Sequence, residues 1–554
     1  MNAQAELASL SQVAMDDLLA FDPVAATALG DHRWDNQLPD LTANTQRGEV
    51  ARIDQHLAAL DAIDDTELTV DECVDLEILR AALARARFLR VDLARATWDP
   101  MVWNPANSVY LLISRDFAPL PDRLASVLSR VRDIPEWLAA GRQTLDYCSV
   151  IHLRTAVQQL AGTRDFLDHQ VRQLLSSQGP LTSATTDGDI DRAARAIDEF
   201  QQWLLQREAS ATRSPRLGDR LYSGVLWHTL DDPIGAVDVL RLAEDHLDEV
   251  TTSMREVATA YLGQQRAERG VVQRALDDIA DRWPVNNASL WDGLARALQS
   301  TRDFTRQAGF VTVPDVEVEL IDMPQFHRGV AVAYCDAPGP LEPAGLGRQG
   351  LQTFVATAST PADWDEARVT SFFREYNGLL LHDLMAHEGF PGHVLQLAHD
   401  RLAEPSRVRA GGRSGVFVEG WAVYAEEALL AHGYEPEPGA GLALRLQQLK
   451  MQARMCINAI LDVRVHTCDI DEQGAQDLMQ YRGFQEVQEA TGKWQRALLT
   501  AGQLPTYFVG YQAVTSIVAD LRVLHPEWSA QQIHDLVLRH GSPAPRYLRQ
   551  LLGL

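Results

Sequence analysis

Met385-Ala386-His387-Glu388-Gly389-Phe390-Pro391-Gly392-His393-Val394-Leu395-Gln396 decides how this chain is read. A His followed at once by a Glu, with a second His close behind, is how a helix presents a metal with a base beside it. Neutral imidazole is a good zinc ligand, and a carboxylate next to the bound water can take its proton. The common spacing of four residues puts both imidazoles on one face. Here the spacing is six, which on a regular helix sets the two about 120° apart. Proline lacks an N–H, and its ring collides with the carbonyl four residues back, which belongs to His387. Gly392 then allows an unusual backbone. The sequence therefore predicts a helix broken at Phe390-Pro391-Gly392, with His393 re-entering to face His387.

A catalytic zinc needs a third protein ligand. Downstream, Gly415-Val416-Phe417-Val418-Glu419-Gly420-Trp421-Ala422-Val423-Tyr424-Ala425-Glu426-Glu427 has the apolar spacing of a buried helix. Glu419 and Glu426 are seven apart and share a face. A carboxylate on an apolar face is costly unless paired or metal-bound. Glu419 is expected as third ligand, with Glu426 or Tyr424 supporting one of the imidazoles. Asp383, one turn before His387, is a further candidate to hydrogen-bond its ring. An N-terminal-turn carboxylate is the bland alternative for Glu419.

His-Glu-x-x-Pro-Gly-His-x-x-Gln followed by Glu-Gly-Trp-Ala-x-Tyr-x-Glu resembles the bacterial domain of unknown function 885 family of presumed zinc metallohydrolases. Phe21-Asp22-Pro23 through Ala28-Leu29-Gly30-Asp31-His32-Arg33 is similar to that family's opening. His534-Asp535-Leu536 and Gly541-Ser542-Pro543 are similar to its close, so the resemblance spans nearly the whole chain. It implies a large, mainly α, thermolysin-related (gluzincin-like) architecture with a deep cleft walled by helices from both halves of the chain.

Pro505-Thr506-Tyr507-x-x-Gly510 is similar to a segment of the carboxypeptidase Taq family of zinc peptidases. It also fits the first family's Gly-Gln-x-x-Ser-Tyr-x-x-Gly, with Thr506 in place of Ser and Ala501 where Pro is usual. A phenol beside a polarised carbonyl can donate to the developing oxyanion. Tyr507 is expected in that role, with Tyr511 as the alternative. Arg496 could pair bidentately with a substrate carboxylate. Asp462 and His466, four apart, can interact; the resembled family carries a similar pair, but its intervening Gly is Arg464 here.

Composition bounds the rest. The chain has 554 residues, 46% hydrophobic and 23% charged, with a formal net charge of −26. That balance argues against nucleic acid, whose phosphates need clustered Lys and Arg. Five scattered cysteines form no disulfide framework. With no basic, apolar start at the N-terminus, they lead to an expected cytoplasmic location, with no membrane partner.

Apolar residues at three- and four-residue spacing predict helices over 5–20, 45–96, 120–147, 150–176, 189–208, 236–264 and 268–307. A polar break falls at 176–189. Alternation predicts strands at 316–321, 329–334 and 353–358, separated by a Gly/Pro-rich loop. This small sheet precedes a helix expected to run from near Pro361 into the metal motif. An edge strand could pair with an extended amide substrate or be a plain structural hairpin. The chain thus divides into an N-terminal helical wall (1–310) and a catalytic half (311–554), intertwined as one unit.

The expected chemistry is hydrolysis of an amide or peptide bond at one zinc ion held by His387, His393 and Glu419, with Glu388 as base. Two His and a carboxylate also suit other first-row ions. The substrate would be a small peptide or an amide-containing small molecule. The alternatives are a small-molecule amidohydrolase in a biosynthetic pathway and a non-catalytic, metal-stabilised helical scaffold.

Overall fold

The computed structural model describes residues 2–177, 184–323, 333–342, 352–357, 359–361, 364–467 and 470–554. It is mainly helical with one three-stranded sheet. Helix starts follow local capping chemistry. The first helix, α1 (Ala3–Phe21), is capped by Asn2. The Asp22 side chain caps α2 (Pro23–Leu29), with Pro23 at its first position. Thr69 and Glu72 form a reciprocal capping box at the start of α3 (Val70–Phe88). The four described free cysteines are Cys73, Cys148, Cys335 and Cys456. Among the described residues no helix is long and apolar enough to cross a membrane.

Three main cores hold these helices together. One, between Trp103 and Ala211, joins α4 (Leu120–Thr144), α5 (Val150–Phe166) and α6 (Ala184–Gln206). A second packs α1 and α3 against Val408, Ala544 and Tyr547, so the two ends of the chain meet. The largest runs from Tyr222 to Leu548 and surrounds the metal motif. Into it α7 (Ala236–Tyr261) and α8 (Leu290–Ala308) send their apolar faces. The predicted helix over 268–307 is in fact two, Val271–Arg282 and α8. Pro284 cannot continue the first, and the Asn286 side chain takes the backbone N–H groups of Ala288 and Ser289 in a turn.

The sheet has the order β1-β3-β2. Strand β1 (Val318–Asp322) is parallel to β3 (Thr353–Thr357), and β2 (Ala333–Asp336) is antiparallel to it. Residues 329–332 and 358, which the alternation also assigned to strands, lie outside the described residues, as do Ala362 and Asp363 at the expected start of the metal-bearing helix. That helix is also two. After α9 (Glu366–Glu375) the chain breaks at Tyr376-Asn377, and α10 (Gly378–Glu388) starts afresh. The Asn377 side chain accepts from the N–H groups of Leu379 and Leu380, both at 3.2 Å. Both helices bury apolar faces, so the periodicity runs across the break unseen.

Five more helices complete the surroundings of the motif: α11 (His393–Leu402), α12 (Gly415–Ala431), α13 (Gly441–His466), α14 (Val487–Leu499) and α15 (Pro505–Leu524). Helix α8 lies along α10, and α7 along α13. A cleft of about 620 Å³ opens above α10. Its described lining runs from Met323 to Tyr507, including Ala333, Tyr334 and Cys335 of β2. Helices of the first half, α7 and α8, pack against these elements, and no described residue before Met323 is in the lining of this cleft.

Candidate metal centre

Helix α10 stops at Glu388, and the chain turns back within four residues. The N–H groups of Gly389 and Phe390 both donate to Met385 O, each at 3.0 Å. Phe390 is fully buried and anchors the corner. Gly392 presses so closely on the end of α10 that a Cβ there would lie 1.9 Å from His387 O and 2.4 Å from Ala386 O. Only glycine fits this approach. Helix α11 then begins at His393. The corner removes the residues that would have splayed the two imidazoles. Their rings sit 4.7 Å apart, nearly perpendicular at 83°.

One contact ties α12 to the corner and a second ties it to α15. The Trp421 indole N–H donates to Pro391 O at 3.0 Å. Gly420 crosses Gly510 of α15 with backbone against backbone: a Cβ on Gly420 would lie 2.2 Å from the Gly510 carbonyl carbon. This crossing sets Glu419 of α12 and Tyr507 of α15 at one level. Glu419 Oε2 faces His387 Nε2 at 3.5 Å and His393 Nε2 at 3.4 Å. The three candidate ligand atoms all lie within 4.8 Å of one another.

Those distances permit a test of fit. Donors about 2.1 Å from a tetrahedral zinc stand roughly 3.4 Å from each other, and both carboxylate–imidazole separations match. Glu419 Oε2 is buried and has no hydrogen-bond partner among the described residues, a costly state unless something else satisfies it. Glu388 Oε2 is likewise buried and unpartnered. Burial opposes charge on Glu419, yet the two imidazoles hold its carboxyl well below the usual range. Burial also opposes charge on His387, but Glu419 and Glu426 raise its pKa well above the ordinary value. Negative charge is thus in excess around two imidazoles. Two nitrogens, one carboxylate and that excess suit a divalent cation.

His387 Nδ1 lies 2.6 Å from Glu426 Oε1. A carboxylate only accepts, so Nδ1 keeps its proton, and the proton given up on metal binding is the one on Nε2, the nitrogen that faces Glu419. Tyr424 does not share this task. Two residues from Glu426 on a helix it points about 200° away, and its hydroxyl meets His534 Nε2 at 2.8 Å. Asp383 makes no hydrogen bond to His387. Both its oxygens are buried without partners, and burial with the nearby Glu426 charge pushes its pKa well up. The carboxyl faces the cleft beside the imidazole pair. His382, one residue earlier, is satisfied by the Tyr434 hydroxyl at 2.7 Å.

Tyr507 lies in the cleft with its ring 6.4 Å from that of His387. Its hydroxyl accepts from Gln503 Nε2 at 3.1 Å, leaving its own proton to donate. Burial and the Glu419 charge raise its pKa, so the phenol stays protonated. Tyr511, one turn on, donates instead to Glu427 Oε2 at 2.6 Å and does not line the cleft. Arg496 donates to Gln503 Oε1 at 2.7 Å.

Asp462 and His466 do not bond each other. Asp462 accepts from Gly502 N at 2.8 Å and from the Tyr222 hydroxyl at 2.9 Å, while His466 Nε2 meets Thr500 O at 2.9 Å. The pair pins the 500–502 turn that launches Gln503 and Tyr507. Sequence reading missed Gln503, the Gly420–Gly510 crossing and this clamp. The two glycines were visible inside the motifs, but only the packed helices show that they touch.

Comparison with known proteins follows from this geometry. A family model described as "Bacterial protein of unknown function (DUF885)" matches residues 23–552. A structure described as "a putative lipoprotein of unknown function" from Shewanella oneidensis is 26% identical. It is similar over 99% of this chain and 100% of its own, with a TM-score of 0.80. Another "putative lipoprotein", from Colwellia psychrerythraea, is 16% identical over 100% and 99%, with a TM-score of 0.81, and shows the fold alone. An M32 carboxypeptidase from Deinococcus radiodurans R1 is 11% identical over 99% and 96%, with a TM-score of 0.41, too low to carry an argument. No curated protein matches. The cytoplasmic expectation does not hold: the Shewanella oneidensis neighbour, matched over nearly the full length of both chains, is described as a putative lipoprotein. Scattered cysteines exclude a disulfide framework but do not fix a compartment.

Proposed function

This chain belongs to the DUF885 family of bacterial proteins of unknown function, and from its site we propose that it is a metal-dependent hydrolase of amide or peptide bonds. One observation carries the reading: His387, His393 and Glu419 converge on one point beside Glu388, inside a cleft large enough for a short peptide.

Zinc is the cation the donor set favours, and when bound it would acidify a water and polarise a carbonyl. Glu388 takes the proton of the attacking water and returns it to the departing amine. Its buried, unpartnered oxygen is available for that transfer. Tyr507, protonated and steadied by Gln503, donates to the oxyanion as it forms. Glu426 fixes the ring of His387 so that Nε2 stays directed at Glu419. Among the described residues β2 is the outer strand of the sheet, and Ala333, Tyr334 and Cys335 line the cleft, so the strand is placed to run beside an extended substrate.

The test is Glu388→Gln, assayed on a panel of dipeptides, blocked peptides and N-acyl amino acids. It should keep its zinc and lose about 10²–10⁴ in turnover, the usual worth of a positioned base. Undiminished turnover would remove Glu388 from the role. Zinc binding with no amide cleaved by the wild type would favour a scaffold instead.

A further inference from the structure

Among the described residues, the cleft holds an arginine with no carboxylate hydrogen-bonded to it and, beside it, a lysine whose one close carboxylate is shared. With 76 acidic and 50 basic side chains, an arginine or lysine facing a cavity without a close carboxylate is the exception here. Arg454, on the cleft wall, is the ordinary case: it bonds Glu489 and, at 3.3 Å, the Tyr376 hydroxyl. Arg368 stacks over Trp364 at 4.0 Å.

Arg496 differs. Among the described residues its one hydrogen bond is to the neutral amide of Gln503, and its Nε is buried without a partner. Lys493, three residues earlier and so on the same face of α14, is 5% exposed. Its nearest carboxylate, Glu489, stands 4.0 Å away and is already taken by Arg454. Burial and the neighbouring Arg454 and Arg496 charges disfavour the ammonium form of Lys493. An anion at this point would relieve that repulsion. Both side chains line the same cleft as His387, Glu388 and His393. The Gln503 amide joins the Arg496 guanidinium to the Tyr507 hydroxyl, so that guanidinium lies two hydrogen bonds from the group assigned to the oxyanion. An extended residue spans about 3.5 Å, which puts a group one or two residues from the scissile carbonyl within reach.

We propose that Arg496 and Lys493 form an anion subsite for a carboxylate next to the scissile amide. A planar guanidinium with free N–H groups matches a carboxylate bidentately. A free carboxylate at that distance from an amide is what a peptide presents at its last residue, and what an N-acyl amino acid presents. Substrates of this class are cut at the terminal amide, and chains with blocked C-termini are poor substrates. The proposal rests on the hydrolase reading for its cleavage arm, but its binding arm does not.

The probes are N-benzoyl-glycyl-phenylalanine and its C-terminal carboxamide, which differ in charge but hardly in shape. In the cleavage arm the zinc-loaded full chain should favour the carboxylate by at least about tenfold in kcat/KM, the worth of a charged hydrogen bond. Arg496→Gln should bring that ratio close to one, mainly through KM. Arg496→Lys and Lys493→Met should each keep part of it, which guards against a variant that fails to fold. In the binding arm, Glu388→Gln protein is titrated with both compounds by calorimetry and should show the same preference, lost when Arg496→Gln is added. Equal handling of the two probes by the wild type, or a ratio untouched by Arg496→Gln, overturns the subsite. Cleavage of neither probe, with the binding preference intact, refutes the hydrolase reading and leaves the subsite standing.

Discussion

Gly392→Ala tests the corner that places the two imidazoles. The added methyl carbon would start 1.9 Å from His387 O, 2.4 Å from Ala386 O and 2.6 Å from the His387 carbonyl carbon. Real Cβ contacts do not fall below 3.0 Å, so the corner and the end of α10 must separate by about 1.1 Å or more. All three obstructing atoms are backbone, and the fully buried Phe390 and the Trp421–Pro391 hydrogen bond hold the corner from the other side. Overpacking of this kind costs about 1–3 kcal/mol where the core can shift, and more where it cannot. Metal ligands tolerate about 0.2 Å of misplacement, so a shift five times larger separates His393 from the point it shares with His387 and Glu419. The expected outcome is a lower denaturant midpoint and zinc affinity weakened by at least about 100-fold, beyond the usual loss of a supporting residue. The assay is competition for zinc against a chromophoric chelator, alongside denaturant unfolding. A Gly392→Ala protein with wild-type zinc affinity and wild-type stability would refute the reasoning.

Two further outcomes follow from the charges. His387 holds its proton well above the ordinary range in the metal-free chain, because Glu419 and Glu426 outweigh its burial; zinc must displace that proton. Affinity should therefore rise with pH across neutrality, and a chelator competition giving equal affinity at pH 6 and pH 8 would contradict this. His32, in the opening motif, lies 2.9 Å from Asp35 and 3.1 Å from Glu342. Burial opposes its charge, but those carboxylates push its pKa up to about 9. The folded value exceeds the unfolded one, so the stabilisation is complete below about pH 6.5 and is lost as pH rises to about 9. It amounts to at most about 3 kcal/mol, less what partial exposure screens. The denaturant midpoint should fall over that window, and a His32→Gln protein should show a flatter dependence.

Much of the fold was legible because apolar periodicity reports which face of a helix is buried. The strands lie within two residues of where alternation put them, in the described residues. The break at Pro391-Gly392 was read from its backbone chemistry, the one at Pro284 was passed over, and a stop made by a side chain left no trace in the pattern. Asn377 ends one amphipathic run and starts another without disturbing the pattern.

At the candidate site, seven-residue spacing was enough to put Glu419 and Glu426 on one face, and the structure brings both to His387. Spacing alone did not separate Glu426 from Tyr424, or Tyr507 from Tyr511, because each choice depends on what a second helix offers. Tyr424 finds His534 and Tyr511 finds Glu427, partners 110 and 84 residues away in sequence. Gln503 stood inside a motif with no role of its own to read, and Lys493 carried no motif at all. Their significance lies in the partners they have or lack, which only packed helices reveal.

The most direct measurement is metal content by mass spectrometry after zinc loading and gel filtration, for the wild type beside His393→Ala. The account predicts one zinc per wild-type chain and close to none in the variant, with unchanged helical content by circular dichroism. A wild-type chain that holds no metal, or a variant that holds as much, would contradict a shared site at His387, His393 and Glu419.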